Sequence, residues 1–268
     1  MRKPTQKTFN LIQQVNQLLA TYGTMTVRQI YYQLVPLGFN YRQVVYILKT
    51  GREMNLIDNQ KIVDRSRPSY GTNTWGSLED FISILPDAFR LNYWTGEQYR
   101  VEIWTEKDAL SQVLNEEAET YRVPVRVTRG FLSTSKRIEW SGDNVIVLYF
   151  GDHDPSGLCM DQDLQTSSFM ELKGFKRISL TLEQAKLNNL PSIPIKEAEE
   201  GGKRGDPRSG KYKSVYGNRC WELDALKPDV LRRLVRDSIK PLLTFDLQQK
   251  IDYENNQRGK LRDLTKRI

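Results

Sequence analysis

The sequence predicts an α/β protein: an N-terminal winged helix, then a four-stranded parallel sheet flanked by helices, then a helical C-terminal tail. Two observations carry this prediction. Three helical patterns and a short β-rich stretch occupy the N-terminal quarter, and strand and helix patterns then alternate four times. Such alternation is typical of a parallel sheet with helices on its faces. We place the domains at 1–75 (winged helix), 76–98 (linker and connecting helix), 99–190 (sheet domain) and 191–268 (basic loop and C-terminal helices).

Three helices follow one another in the N-terminal module. Apolar residues recur at helical spacing in residues 5–22. Thr26 is the predicted cap of a second helix, VRQIYYQLV, and Asn40 that of a third, YRQVVYILKTGREMN. The next stretch, LIDNQKIVD, predicts two short β segments around an Asp-Asn turn. Three helices and a hairpin are typical of a winged helix, and they also fit a dimerisation module.

The chain's net charge of +7 comes from this first module. Residues 1–75 hold ten Lys and Arg against three acidic residues, whereas residues 76–268 hold thirty of each sign. A basic module beside a charge-balanced remainder is typical of a protein that binds nucleic acid, although such a charge can also serve solubility alone. In a winged helix the third helix enters the major groove, so we expect basic residues on it and around the wing to contact double-stranded DNA. These residues are Arg42, Lys49, Arg52, Lys61, Arg65 and Arg67.

The composition indicates an intracellular protein without a membrane span. Hydrophobic residues make up 38% of the chain, and no apolar stretch approaches the ~20 residues that a span needs. The N-terminus lacks the apolar run of a secretory signal. Cys159 and Cys220 lack the spacing of a zinc site or of a disulfide framework. We therefore expect a cytoplasmic or nucleoid-associated protein that does not bind membranes.

Strands and helices alternate in the second half. A segment rich in Ser, Thr, Gly and Pro (66–76) and a helix, SLEDFISILPDAF, lead into it. The predicted strands are VEIWT, VPVRVTR, NVIVLYF and FKRISL. Each is followed by a predicted helix: KDALSQVLNEEAETY, STSKRIEW, PSGLCMDQDLQTSSFMEL and TLEQAKLNN.

Three acidic residues follow two of these strands. Glu106 comes directly after the first strand, and Asp152 and Asp154 come just after the third. The carboxyl ends of parallel strands meet at one edge of a sheet, so we expect the three side chains to converge. Clustered carboxylates repel one another unless a cation lies among them, and hard oxygen ligands of this kind bind Mg²⁺. The sequence therefore predicts a Mg²⁺ site made by these three residues.

Two motifs in this region resemble those of a Toprim domain. WTEKDA (104–109) and GDHDPSG (151–157), separated by a βαβ unit, look like the glutamate and DxD motifs. TVRQIYYQL (26–34) resembles the tyrosine motif in the winged-helix domain of the topoisomerase VI A subunit and of its relative, the meiotic double-strand-break transesterase. The order of the two domains also matches, and the resemblance covers roughly residues 5–180. Small stand-alone relatives carried by phages and mobile elements are similar too.

This resemblance implies Mg²⁺-dependent DNA cleavage by transesterification. Tyr32 would be the nucleophile, Arg28 its supporting cation and Glu106 a catalytic residue as well as a metal ligand. Helical spacing places Arg28 and Tyr32 on one face, and we expect one tyrosine of the Tyr31–Tyr32 pair to be packed and the other free. The chain departs from the family at Gln29, where an acid is usual, and it is shorter than that A subunit.

The family also implies an assembly. The partners would be double-stranded DNA, a second copy of the chain whose metal each tyrosine meets, and a separate ATPase subunit, because the sequence has no P-loop motif. Two alternatives stay open on the residues alone: a hydrolytic Toprim nuclease and a non-catalytic winged-helix protein that binds DNA.

The remaining candidates lie near or beyond residue 150. His153 is expected to face solvent between the two aspartates. Glu222 and Asp224 of WELDAL could serve as further metal ligands, although a surface turn is the preferred interpretation. Residues 201–219 carry six basic residues against Asp206 alone, which fits either a loop that closes over DNA or an ordinary solvated loop.

Overall fold

The computed structural model of the protein describes residues 5–63, 73–195 and 208–266. Two of the predicted DNA contacts, Arg65 and Arg67, lie outside these ranges. The described chain is a mixed α/β protein with a four-stranded parallel sheet flanked by helices, as the alternation predicts. Within these ranges, none of the helices is long and apolar enough to cross a membrane.

The N-terminal part folds around three helices and two very short strands. These are α1 (Gln6–Tyr22), β1 (Met25–Thr26), α2 (Val27–Leu34), α3 (Tyr41–Glu53) and β2 (Ile62–Val63). The helices begin where the sequence predicts because the side chains of Thr5, Thr26 and Asn40 accept hydrogen bonds from first-turn amides. Apolar side chains from all three helices form one buried core.

The predicted hairpin in LIDNQKIVD is wrong. β2 pairs in parallel with β1, and not with the residues that precede the Asp-Asn pair. Asp58 instead caps a 3-10 turn, with its Oδ1 accepting from the Gln60 amide at 2.9 Å. Ile57 is buried against Gly51 of α3, so the first predicted β segment belongs to the helical core. The winged-helix assignment therefore depends on the three helices alone.

The central sheet has four parallel strands in the order β4-β3-β5-β6. Their bounds are β3 (Arg100–Thr105), β4 (Val125–Val127), β5 (Gly142–Phe150) and β6 (Leu172–Ser179). The intervening and following helices are α5 (Ser111–Ala118), α6 (Thr134–Trp140), α7 (Pro155–Thr166) and α8 (Leu182–Leu187). The predicted helix over PSGLCMDQDLQTSSFMEL ends early, because Leu172 already begins β6.

Apolar cores cover both faces of the sheet. Along β5, Leu148 and Phe150 point into the core shared with α5, whereas Val147 and Tyr149 point into the core shared with α6 and α7. This two-sided burial explains why NVIVLYF is apolar throughout instead of alternating.

The C-terminal region packs onto the sheet domain and is not a detached tail. It comprises β7 (Ile193–Pro194), α9 (Ser209–Tyr216), β8 (Arg219–Cys220), α10 (Pro228–Ile239) and α11 (Leu247–Thr265), and the connecting helix is α4 (Leu78–Ala88). α10 contributes Leu231, Val235 and Ile239 to the main core. In α11, the buried Glu254 pairs with Arg122 at 2.6 Å, which ties the last helix to the sheet domain.

Candidate active site

The three predicted acidic residues lie at the carboxyl edge of the two central strands. β3 and β5 are neighbours, with Thr105 opposite Phe150, so Glu106 and Asp152 follow adjacent strand ends. Burial, and then the charges of Asp152 and Asp154, raise the pKa of Glu106 to about 8. At neutral pH this carboxyl therefore holds its proton.

Asp154 has a structural role at the same edge. It is the N-cap of α7, and its Oδ1 accepts a hydrogen bond from the Gly157 amide at 2.6 Å. Gly157 is required there because a Cβ on this residue would collide with the Asp152 carbonyl oxygen. The two acids of the DxD motif thus lie at the closely packed N-terminus of α7.

Two substitutions of Asp154 distinguish its role as a helix cap from the role of its charge. Asp154→Ala is expected to lower the free energy of unfolding by about 1 kcal/mol, because Ala cannot cap α7. Asp154→Asn keeps a capping oxygen and is expected to retain most of the stability while removing the charge. Urea denaturation of both variants measures the difference, and equal losses would argue against the capping role.

Lys107 joins the acidic residues into a network. Its Nζ lies 2.9 Å from Asp152 Oδ1, 2.5 Å from Asp224 Oδ2 and 3.4 Å from Glu222 Oε2. Burial alone would lower the pKa of Lys107, but the three carboxylates outweigh it and the pKa is raised. Lys107 therefore stays charged, although only 14% of its side chain is exposed.

The segment WELDAL belongs to this network, so its interpretation as a surface turn is wrong. Asp224 is fully buried, and the Leu223 amide donates to Asp152 Oδ1 at 2.6 Å. The pKa of Glu222 is raised by burial but lowered further by Lys107 and Arg28, so the net shift is downward. Sequence reasoning could have found these residues, because two acids within an apolar run need cationic partners when that run is buried.

His153 does not face solvent as expected. Only 3% of it is exposed, and its backbone exchanges two hydrogen bonds with Trp221, each of 3.0 Å. Its Nδ1 lies 2.7 Å from the Tyr212 hydroxyl. Burial, and then Arg177, lower the pKa of His153. Through these contacts, His153 holds the C-terminal segment that contains Tyr212 and Trp221 against the acidic edge.

The N-terminal helices reach the same network. Arg28 of α2 forms an ion pair with Glu222, and Thr26 Oγ1 lies 3.4 Å from Asp224 Oδ1. One turn beyond Arg28, Tyr32 is only 7% exposed. Tyr31 is half-buried and packs edge-on against Tyr41 at 5.4 Å. Neither tyrosine of the pair is therefore free in this structure.

The pKa of Tyr32 is shifted by its burial and by four charged groups near it. Burial raises this pKa most, Glu222 and Asp224 raise it further, and Lys107 and Arg28 partly offset the increase. These four groups lie on α2, after β3 and in WELDAL, so charged residues from both parts of the chain act on Tyr32.

The described DNA-contact candidates lie on or after α3. Arg42, Lys49 and Lys61 are exposed. Arg52 is half-buried and donates from Nε to Asn59 Oδ1 at 2.8 Å. Lys49 lies 3.8 Å from Glu53, with 70% of its side chain exposed. Three of the four described candidates are thus exposed cations.

The acidic edge has the ligand chemistry of a Mg²⁺ site but not a closed cage. In the described part of the chain, no group of three or more His, Cys, Asp and Glu side chains converges closely enough to hold a metal ion. Mg²⁺ is often held by only one or two carboxylates, with waters and substrate phosphates completing its shell. Five carboxylates surround this edge, where Lys107 and Arg28 pair with three of them and the Arg177 Nη1 donates to the Asp152 carbonyl oxygen at 3.2 Å. The carboxylates are those of Glu106, Asp152, Asp154, Glu222 and Asp224.

No protein-family model matches the chain, and no curated protein sequence matches it significantly.

Proposed function

We propose that this chain is a Mg²⁺-dependent DNA-cleaving enzyme of the topoisomerase VI A-subunit type, with a winged helix in 1–75 and a Toprim domain in 99–190. The proposal depends chiefly on one observation. Arg28, one helical turn from the candidate nucleophile Tyr32, forms an ion pair with Glu222. Glu222 in turn shares Lys107 with Asp152, which follows β5. This chain of ion pairs connects the helix of the tyrosine to the acidic edge.

In this proposal, Tyr32 attacks a backbone phosphorus. A bond forms between its hydroxyl oxygen and phosphorus, the bond from phosphorus to the 3′ oxygen breaks, and the DNA keeps a 5′-phosphotyrosyl link. The phenol proton must leave during the attack because the pKa of Tyr32 is raised. The proton passes to solvent water, because the lowered pKa of Glu222 makes that nearby carboxylate a poor acceptor. The 3′ oxygen departs as a hydroxyl after taking a proton from water.

The cations in the network would bind the scissile phosphate. Arg28 is one helical turn from Tyr32, and half of its side chain is exposed. Glu106, Asp152 and Asp154 would hold the metal, with Glu106 losing its proton as it does so. When bound, Mg²⁺ would polarise the phosphodiester and offset its charge.

The raised pKa of Glu106 predicts that Mg²⁺ binding depends on pH. Because the ion competes with a proton on Glu106, its affinity should rise by about tenfold per pH unit below about 8 and level off above that. Isothermal titration calorimetry in buffers of different ionisation enthalpy would measure both the affinity and the released proton. Glu106→Gln is the control: its weaker binding should lack this pH dependence, and a similar slope in both proteins would contradict the assignment.

Cleavage of supercoiled plasmid tests the proposal as a whole. The wild type should nick or linearise the plasmid with Mg²⁺ but not with EDTA, and Glu106→Gln should be inactive while still binding duplex DNA. Binding should weaken steeply with salt, since counterions are released on association. A wild type that binds duplex DNA but never cleaves it would favour the non-catalytic alternative.

The proposal extends to partners. Breaking both strands needs two nucleophiles, which a C2 homodimer on double-stranded DNA would supply. Coupling to ATP would need a separate ATPase subunit.

A hydrolytic Toprim nuclease is the second candidate function. The burial of Tyr32 favours it, since hydrolysis uses water and needs no exposed tyrosine.

A further inference from the structure

A cavity of about 460 Å³ lies between α7 and α9, outside the charge network described above. Its lining combines apolar, aromatic and basic side chains. The lining residues are Pro155, Leu158, Cys159, Gln162, Arg208, Lys211, Tyr212, Val215 and Tyr216. This volume is typical of a small-ligand pocket and is far too small for a duplex.

The cavity adjoins the candidate cleavage site. Pro155, which lines it, directly follows Asp154 in sequence. The ring of Tyr216 packs edge-on against His153, with their centroids 4.8 Å apart, and His153 stands between the two aspartates of the DxD motif. A ligand in the cavity would therefore lie beside the acidic edge.

The charge of the described cavity lining is opposite to that of the adjacent acidic edge. Among the described residues, the lining includes Arg208 and Lys211 and no carboxylate, whereas the adjacent edge is rich in acids. Arg208 lies over the ring of Phe131, 4.7 Å from its centroid. Tyr216 is 36% exposed, which leaves part of its ring accessible. A ligand that suits this lining has a flat ring to stack on tyrosine and a negative charge to meet the cations.

We infer that this cavity holds one unpaired nucleotide of the DNA strand beside the cleavage site, with its base on Tyr216 and its phosphate near Lys211. This inference rests on the proposed function. A nucleotide in a duplex cannot enter so small a space, so it must leave the base stack. The protein should accordingly prefer DNA in which a nucleotide is already unpaired, since no pairing energy is then lost.

Binding measurements without Mg²⁺ test this inference apart from cleavage. Fluorescence anisotropy would compare a fully paired duplex with the same duplex carrying a single-nucleotide bulge. The wild type should bind the bulged duplex between about fivefold and about a hundredfold more tightly, the range expected for one stacked base. Tyr216→Ala should lose this preference and Tyr216→Phe should keep it. Tyr253→Ala, which removes an exposed tyrosine from α11, is the matched control and should leave the preference unchanged.

The outcomes separate the subsite from the proposed function. Equal affinity of the wild type for both duplexes, or a preference that survives Tyr216→Ala, overturns the subsite and leaves the DNA-cleavage proposal standing. Failure of the wild type to bind either duplex overturns both. Lys211→Gln gives a second test that leaves the contact between His153 and Tyr216 in place. It should reduce both the preference and its salt dependence, and a wild-type preference in this variant also counts against the subsite.

A free mononucleotide has the same base and phosphate as a nucleotide within DNA. A competition experiment distinguishes these two ligands. Excess dAMP should displace the bulged duplex only weakly, because a strand adds contacts along its backbone. Displacement by dAMP at concentrations comparable to those of the bulged duplex would overturn the assignment to DNA.

Discussion

Replacing Lys107 with Ala is expected to lower the free energy of unfolding by about 3–5 kcal/mol, the usual cost of removing one partner of a buried ion pair. The ammonium group lies among Asp152, Glu222 and Asp224, and Asp224 is fully buried. Without Lys107 these carboxylates would repel one another away from water. The variant should also lose DNA cleavage, because the ion pairs that Lys107 makes between Asp152 and WELDAL are lost.

Denaturation by guanidinium chloride at pH 7 measures this effect, with Lys107→Arg as the matched control. Arg keeps the charge and should lose much less stability than Ala. A second comparison uses Asp224→Asn in the Lys107→Ala background, where removing one unpaired acid should restore part of the stability. If Lys107→Ala stays within about 0.5 kcal/mol of the wild type, as surface substitutions usually do, the network does not stabilise the fold.

Replacing Tyr32 with Phe should abolish covalent protein–DNA adducts. The substitution removes only the hydroxyl, so the packing of this nearly buried ring and the DNA affinity should change little. Tyr31→Phe is the control, because the ring of Tyr31 packs against Tyr41, whereas the charges of Glu222 and Lys107 act on Tyr32. Denaturing gels of protein mixed with labelled DNA and Mg²⁺ measure the adducts. Adducts formed by Tyr32→Phe at the wild-type level would exclude Tyr32 as the nucleophile.

Mixing two inactive variants tests whether each site is made within one chain. Neither Tyr32→Phe nor Glu106→Gln retains a complete site on its own. If each tyrosine works with the metal of the other protomer, as the family resemblance implies, heterodimers should regain one composite site and nick a single strand. Heterodimers that demonstrably form and stay inactive would mean that Tyr32 works, if at all, within its own chain.

Local sequence patterns were enough to predict the sheet and its acidic edge. The central strands β3 and β5 are mostly apolar, and Thr26 and Asn40 are strong helix caps, so these elements follow from nearby residues. Glu106 and Asp152 were predictable neighbours because they follow strands of one parallel sheet. The prediction succeeds where topology alone decides which residues meet.

Long-range contacts were not predictable in this way. Lys107 and Asp224 are 117 positions apart, and no repeated spacing in the sequence around either residue indicates that they pair. The ion pair of Arg28 with Glu222 likewise depends on how the helical module packs against the sheet domain. The failed hairpin has a local cause, since an Asp-Asn pair can cap a 3-10 turn as readily as it can close a β-turn.

The fate of labelled DNA tests the central claim most directly. Wild-type protein would be incubated with Mg²⁺ and two samples of one DNA, labelled on opposite sides of the cut, and then denatured. The account predicts that the fragment beginning with the cleaved 5′ phosphate stays attached to protein while the other fragment ends in a free 3′ hydroxyl. Cleavage that releases both fragments free of protein would contradict transesterification by Tyr32 and would identify a nuclease that uses water.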